Sequence, residues 1–117
     1  MLFLCYKRCS TCRKARAWLE ANDFDFEERD IKEKNPSEKE IKTWHKLSGL
    51  EIKKFFNTSG KLYREQGLKN KLPTMTDAEA YKLLATDGML VKRPILVGKD
   101  FVLLGFNETA WAERLKG

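Results

Sequence analysis

The stretch LFLCYKRCSTCRKARAWLEANDFDFEERD, residues 2–30, decides the fold. Residues 2–6 form a short apolar run, which is typical of a buried strand. From about residue 10 to 22 the apolar side chains recur at the three- and four-residue spacing of a helix. Residues 24–30 begin with strict alternation of phenylalanine and acid, which indicates a second strand. A strand–helix–strand unit of this length predicts two parallel strands with a right-handed crossover.

The rest of the chain brings helices first and strands last. Residues 36–90 are predicted to be mostly helical, and two capping boxes, at Ser37 and Thr76, mark helix starts. The predicted helices of that segment cover residues 37–48, 51–56, 61–67 and 76 to about 86. Two apolar runs within residues 95–104 predict a β-hairpin, and Asn107 is expected to cap a final helix. We therefore predict an α/β fold in which helices flank a four-stranded mixed sheet.

The composition fits one domain. The 117 residues carry 23 Lys and Arg against 17 Asp and Glu, a net charge of +6, and this length suits a single domain with a substantial core. No apolar run has the length of a membrane span, and the N-terminus lacks the regions of a signal peptide. We therefore expect a cytoplasmic, monomeric protein with no membrane partner.

Three cysteines crowd the N-terminal part of the chain, at positions 5, 9 and 12. An odd, clustered set does not fit a disulfide-stapled secreted domain, whose cysteines are even in number and spread along the chain. Residues 9–12, Cys-Ser-Thr-Cys, form a C-x-x-C motif at the N-terminus of a helix within a βαβ unit, which indicates thiol–disulfide chemistry. Two cysteines at this spacing can close a disulfide with little backbone movement.

The surroundings of the motif favour a thiolate at Cys9. Unpaired amides and the positive dipole end of the helix stabilise a nearby anion, and residues 7–16 carry five cations and no acid. We predict that Cys9 is the attacking nucleophile. Cys12, on the apolar face of the helix, is predicted to be the resolving cysteine that attacks a mixed disulfide. Cys5 lies inside the first strand and is expected to be a buried, inert thiol.

Two other interpretations of the cysteines stay open. Together with His45, the three thiols make four candidate zinc ligands, although the sequence has no second C-x-x-C and no paired histidines. The thiols can also be packing residues, because free cysteine is commonly buried. Redox use without a bound metal accounts best for the position of the motif.

Two features lie outside the cysteine motif. Arg93-Pro94 opens an apolar strand, where proline is tolerated, and the sequence alone favours a trans bond there. Residues 53–71 carry six cations against the single acid Glu65. Such an excess is typical of a solvated helical face, and the alternative is a docking surface for an acidic partner. No recognisable helix-turn-helix or finger accompanies the charge, so we do not expect direct nucleic-acid binding.

Three segments carry a resemblance to a known family: CSTCRKAR at 9–16, NTSGKLY at 57–63 and KRPI at 92–95. Through them the chain resembles, over nearly its full length, the arsenate reductase ArsC / Spx family, and in particular its uncharacterised reductase-like members. The resemblance implies a thioredoxin-like fold whose core comprises residues 1–35 and 91–117, with a helical insertion at about 36–90. It also implies that Pro94 is cis and lies opposite Cys9.

The resemblance further implies an oxidoreductase that uses Cys9. Glutaredoxin-coupled members of the family use one nucleophilic cysteine and hold an oxyanion with three arginines. Arg93 matches one of the three, whereas the other two positions fall at Asn57 and near Gly105, which carry no charge. An amide or a glycine does not replace a bidentate arginine. We therefore expect thiol–disulfide exchange rather than arsenate reduction.

The expected site has two groups of residues. The expected catalytic residues are Cys9, Cys12, Arg13 and Arg93. The expected substrate-positioning residues are Pro94, Arg16, Ser10 and Thr11. The substrate is expected to be a disulfide or a small oxyanion, with no bound cofactor or metal. Glutathione, glutaredoxin or thioredoxin would act as the reductant.

The Spx-like branch of the family implies a different function. Its members bind the C-terminal domain of the RNA polymerase α subunit and change transcription under disulfide stress. This chain is similar to them in its C-x-x-C motif and in Arg93, the arginine before the proline. The alternative is therefore a redox-sensing transcriptional regulator that does not turn over.

Overall fold

The computed structural model describes all residues, Met1–Gly117, and its N-terminal unit has the predicted form. β1 (Leu2–Cys5), α1 (Ser10–Ala21) and β2 (Glu27–Asp30) follow one another along the chain. β1 and β2 pair in parallel over four residues of each strand. The connection brings the first turn of α1, and with it both cysteines of the C-x-x-C motif, to the carboxyl end of β1.

Two further strands complete the sheet. β3 (Ile95–Val97) and β4 (Val102–Leu104) form the predicted hairpin, and β3 pairs antiparallel to β1. The strand order is β2-β1-β3-β4. α6 (Glu108–Lys116) ends the chain, and the Asn107 side chain caps it. The predicted fold class, a four-stranded mixed sheet flanked by helices in a thioredoxin-like arrangement, is confirmed.

A hydrophobic core lies on each face of the sheet, because successive side chains of β1 point to opposite faces. The smaller core lies under α1 and α6 and consists of Phe3, Cys5, Cys12, Ala15, Leu19, Leu96 and Trp111. Leu4 and Ile95 face the other way and join a larger core with the helices of residues 36–90. The C-x-x-C motif therefore lies at the rim of the smaller core, with Cys12 inside it.

The segment of residues 36–90 adds helices and no strand to the sheet. Its helices are α2 (Glu38–Ser48), α3 (Lys61–Glu65), α4 (Leu68–Lys71) and α5 (Asp77–Leu84), with 3₁₀ turns at Ile52–Phe55, Leu72–Thr74 and Gly88–Leu90. None of the helices in the chain is both long and apolar enough to cross a bilayer.

The observed helices of this segment differ from the predicted ones in four places. α3 ends at Glu65 rather than at Gly67. Residues 51–56 form a 3₁₀ turn rather than an α-helix. Residues 68–74 are helical although no helix was predicted there, because Gly67 turns the chain with φ of 62° and Leu68 is buried in the larger core. α5 ends at Leu84 rather than at about residue 86, and the Thr86 hydroxyl closes its last turn on the Leu83 carbonyl.

β2 is shorter than predicted. The alternating Phe24 and Phe26 do not pair as strand residues but fill the edge of the smaller core. Phe24 stacks on Trp18 with ring centroids 5.7 Å apart, and Phe26 meets the edge of Phe3 at 5.5 Å. The period-two pattern thus reflects aromatic packing beside the sheet. Strand pairing begins only at Glu27.

Both predicted capping boxes are present, and the one at Ser37 makes a direct stability prediction. The Ser37 hydroxyl accepts from the Glu40 amide at 3.1 Å, and the Glu40 carboxylate accepts from the Ser37 amide at 3.0 Å. Ser37→Ala is expected to lower the free energy of unfolding by about 1 kcal/mol in urea denaturation. Ser59→Ala is the matched control, because the exposed Ser59 side chain makes no hydrogen bond. Equal stability of the two variants would contradict the prediction.

Candidate active site

Cys9 occupies the N-cap of α1, where the chain leaves β1 and turns into the helix. Its amide donates to the Tyr6 carbonyl at 3.0 Å, and its backbone is extended, with φ of −89° and ψ of 118°. No side chain caps the helix, so the amides of the first turn are available to a group at this position. Cys9 is partly exposed, whereas Cys12 is only 1% exposed. The two thiols therefore differ in their access to a substrate.

The environment of Cys9 lowers the pKa of its thiol below the ordinary value. Partial burial acts in the opposite direction, because it penalises the thiolate. Hydrogen bonding from the Cys12 amide and thiol, followed by hydrogen bonding and charge from Arg93, outweighs that penalty. A larger fraction of Cys9 is then a thiolate at neutral pH than in an unperturbed cysteine.

Cys12 is tuned in the opposite direction. Burial, together with the neighbouring Cys9 and Cys5, raises the pKa of its thiol to about 12. The Tyr6 amide donates to Cys12 Sγ at 3.4 Å and only partly offsets the burial. Cys12 is therefore a protonated thiol that can donate a hydrogen bond to Cys9 when both are reduced.

Arg93 is the cation that reaches Cys9. Its guanidinium carbon lies 5.1 Å from the centre of the Tyr6 ring, and its Nη1 lies 3.9 Å from Met89 Sδ. Its Nε is buried and donates to no partner. The bond from Arg93 to Pro94 is cis, as the resemblance implied. Arg93 is thus held between an aromatic face and a thioether with a free donor.

Of the other predicted site residues, three lie exposed on α1 and a fourth, Arg16, is paired with another side chain. Ser10, Thr11 and Arg13 lie exposed in the first turn of α1. Arg16, which we expected to position the substrate, instead forms a bidentate pair with Glu28 of β2, with Nε–Oε1 at 2.6 Å and Nη2–Oε2 at 2.7 Å. Two of the guanidinium nitrogens are thus engaged by Glu28 rather than by a substrate anion.

Cys5 lies beneath the pair and is not equivalent to it. It is 2% exposed, and burial, reinforced by the charge of Glu28, raises the pKa of its thiol. Arg16 Nη2 approaches Cys5 Sγ at 3.5 Å and opposes that shift. These features agree with the prediction of a buried, unreactive thiol.

The geometry does not support the zinc interpretation of the cysteines. His45 lies on α2, and its Nδ1 is 2.6 Å from the Tyr81 hydroxyl on α5. No three histidine, cysteine or carboxylate side chains of the chain approach one another closely enough to hold a metal ion.

Two residues that hold Arg93 were missed by the sequence analysis. Tyr6 had been assigned only to a strand, and Met89 had no assigned role. An aromatic residue at the end of the first strand, three positions before Cys9, could have signalled a cation–π contact. The sequence carried no comparable signal for Met89, because its approach depends on the turn at Gly88–Leu90.

Comparison with known proteins identifies the family of this chain. The model of the ArsC family matches residues 4–114, which is nearly the whole chain. The chain belongs to the ArsC family. A solved structure of an ArsC family related protein from Bacteroides fragilis is 53% identical, superimposes with a TM-score of 0.93, and covers 96% of this chain and 94% of that one.

Relatives of known sequence extend across the branches of the ArsC family. The uncharacterized protein YusI of Bacillus subtilis is 47% identical over 113 residues, which cover 97% of this chain and 96% of YusI. The global transcriptional regulator Spx 2 of Bacillus anthracis is 30% identical over 100 residues, which cover 86% of this chain and 75% of Spx 2. Both relatives therefore align with most of their own length.

The contact between Arg93 and Cys9 makes a prediction about pH. Because Arg93 lowers the pKa of Cys9, Arg93→Gln is expected to raise it and to slow alkylation of Cys9 at neutral pH. The measurement is the rate of iodoacetamide modification against pH, with Cys9 identified by peptide mapping. Lys14→Gln is the matched control, because Lys14 is an exposed cation of α1 near Cys9 and is given no role at the site. The prediction fails if both variants leave the midpoint unchanged.

Proposed function

We propose that this protein is a thiol–disulfide oxidoreductase in which Cys9 is the nucleophile and Cys12 the resolving cysteine. The observation that carries the proposal is the asymmetry of the pair. Cys9 is partly exposed at a helix N-cap and its pKa is lowered, whereas Cys12 is buried and its pKa is raised to about 12. Dithiol reductants need this division, because one sulfur must attack while the other waits as a thiol.

In the first step the Cys9 thiolate attacks one sulfur of a substrate disulfide. The substrate S–S bond breaks as the Cys9–substrate bond forms, and the departing sulfur leaves with the electron pair and takes a proton from solvent. Negative charge passes along the three sulfurs during the attack. The positive charge of Arg93 and its unpartnered Nε are suited to stabilise that charge.

In the second step Cys12 loses its proton and attacks Cys9 Sγ. The mixed disulfide breaks, the substrate leaves as its second thiolate, and the protein holds a Cys9–Cys12 disulfide. The charge of Cys9 is one cause of the raised pKa of Cys12. Because Cys9 is neutral in the mixed disulfide, the pKa of Cys12 falls at the stage when a second nucleophile is needed.

Two electrons have then moved from the protein to the substrate and must be returned. Two glutathione molecules, which leave as glutathione disulfide, or one dithiol protein of the glutaredoxin or thioredoxin class would restore the thiols. The cycle needs no bound cofactor. Reduction of an oxyanion such as arsenate has weaker support, since the resemblance puts two of the family's three oxyanion-binding arginines at Asn57 and near Gly105, which carry no charge.

The proposal is tested by turnover of a peptide–glutathione mixed disulfide, with glutathione reductase and its nicotinamide cofactor reporting the electrons consumed. Turnover that increases in proportion to added protein is expected. Arsenate offered in place of the mixed disulfide should give no more than the background rate. A protein that leaves the mixed disulfide untouched would contradict the proposal.

A second candidate function is redox sensing without turnover, and the likeness to Spx 2 favours it. In that case the same two thiols would switch a surface that binds the C-terminal domain of the RNA polymerase α subunit. A pull-down with that domain, with the protein oxidised and then reduced, decides the matter. Binding in just one of the two redox states supports the regulator. Absence of binding in both states excludes it.

A further inference from the structure

Two basic cavities are bounded by the same two segments of the chain, and Arg93 lines one of them. One, of about 350 Å³, is lined by Arg93 and Lys61 and has Asn57 and Met89 in its walls. The other, of about 360 Å³, is lined by Lys53, Lys54 and Lys92, with Phe56, Thr58 and Glu51. Their lining residues are neighbours in sequence, 56 to 58 on one side and 92 to 93 on the other. The two cavities have no lining residue in common, but the same two segments bound both of them, and we call their combined surface the basic trough.

The charge of the basic trough is largely unpaired. Five cations line it against the single carboxylate of Glu51. Lys61 has a partner, Glu65, at 3.6 Å, and both side chains are mostly exposed. Lys53, Lys54 and Lys92 take part in none of the four ion pairs of the chain. Unpaired cations above a buried aromatic wall focus a positive potential into such a surface.

Lys92 joins the trough to the loop that holds Pro94. Gly105 has a φ of +70°, and a Cβ placed on it would lie 3.1 Å from Lys92 Cε and 3.8 Å from its Nζ. The Gly105 amide in turn donates to the Pro94 carbonyl at 2.8 Å. The end of the Lys92 side chain therefore lies over the loop beside Arg93. Arg93 in turn packs against the Tyr6 ring, with its guanidinium carbon 5.1 Å from the ring centre, and the Tyr6 carbonyl accepts from the Cys9 amide.

We propose that the basic trough binds acidic side chains that flank the disulfide of a protein substrate, and so selects acidic polypeptides for reaction at Cys9. The inference rests on the proposed function, because it names the substrate class of that reaction. A polypeptide is favoured over a nucleic acid for two reasons. The trough adjoins a thiol whose reaction consumes a disulfide, which nucleic acids lack. Its aromatic residue, Phe56, is 1% exposed and offers no face for base stacking.

The test uses three short peptides whose single cysteine is joined to thionitrobenzoate by a disulfide. The residues beside the cysteine are acidic in one peptide, neutral in the second and basic in the third. Stopped-flow release of the coloured thiol measures the first attack by Cys9 and needs no reductant. At low salt the acidic peptide is expected to react about tenfold faster than the neutral one, and the basic peptide more slowly. The advantage should shrink as salt is added.

Two double variants assign the effect to the trough. In Lys54→Gln/Lys92→Gln the ratio of acidic to neutral rates is expected to fall below about threefold, since two of five cations are removed. Lys99→Gln/Lys116→Gln is the matched control. It removes the same charge at the other end of the sheet, where Lys99 follows β3 and Lys116 bonds to Asn22 after α1. This control should keep the wild-type ratio.

The outcomes separate this inference from the proposed function. Equal rates for acidic and neutral peptides, both abolished by Cys9→Ser, would contradict the selection of acidic peptides by the basic trough. The proposed oxidoreductase function would still stand. If the wild-type protein released the coloured thiol no faster than the Cys9→Ser variant with all three peptides, the proposed function itself would be contradicted. The Lys54→Gln/Lys92→Gln variant could instead react more slowly with glutathione disulfide but not with the acidic peptide. That result would show that these cations bind glutathione and would contradict the inference. Stronger inhibition by a single-stranded oligonucleotide than by a serine version of the acidic peptide would also contradict it.

Discussion

Cys9→Ser is expected to lower the rate of disulfide reduction by at least about a thousandfold, to the rate of the solution reaction. A serine hydroxyl stays protonated at neutral pH and cannot form a disulfide. The features that favour a thiolate at this position would then act on a group that does not ionise. The measurement is the turnover of a peptide–glutathione mixed disulfide under saturating reductant, compared between wild-type protein and the variant.

Cys12→Ser is the informative partner of that variant. It keeps the nucleophile but removes the second attack, so in the absence of a reductant one equivalent of mixed disulfide should form on Cys9 and persist. Cys5→Ala serves as the control for loss of a thiol, because Cys5 is buried and lies outside the proposed reaction. Full turnover by Cys9→Ser, or loss of the first attack in Cys12→Ser, would contradict the division of roles.

Trp111→Ala is expected to lower the free energy of unfolding by about 3–5 kcal/mol. Trp111 is 1% exposed in the smaller core and meets Phe3 and Phe106 edge to face, with ring centroids 6.5 Å and 4.9 Å apart. Its indole Nε1 donates to the Gly105 carbonyl at 3.1 Å. The truncation therefore leaves a cavity under α6 and frees a buried acceptor. Urea denaturation measures the loss.

Trp111→Phe separates the two contributions of that residue. The phenyl ring keeps much of the buried volume but cannot donate to Gly105, so this variant should lose clearly less stability than Trp111→Ala. Because the Gly105 amide also bonds the Pro94 carbonyl, alkylation of Cys9 reports whether the site shifts. A loss below about 1 kcal/mol for Trp111→Ala would contradict the placement of this residue in the core.

The first thirty residues predicted most of the architecture because their signals are local. An apolar run, a helical period and the length of the connection define a parallel strand pair without knowledge of the rest of the chain. The capping boxes at Ser37 and Thr76 predicted helix starts for the same reason, since each involves residues three apart. The N-cap position of Cys9 followed directly from the βα junction.

The parts that sequence could not predict depend on contacts between distant segments. Arg16 is basic and close to the motif in sequence, but α1 turns it toward Glu28 on β2. Lys92 received no role, because its position over Gly105 arises only when β4 returns beside β3. The end of β2 was misjudged since the phenylalanines pack against Trp18 and Phe3. Each case needed the tertiary structure.

The most direct test of the central claim is peptide mapping after a single turnover. Reduced protein is mixed with one equivalent of a peptide disulfide, quenched with acid, alkylated and digested under non-reducing conditions. The claim predicts two equivalents of released thiol, a disulfide between Cys9 and Cys12, and alkylated Cys5. Peptide left on Cys9 with Cys12 alkylated, or a first attack by Cys12 or Cys5, would contradict it.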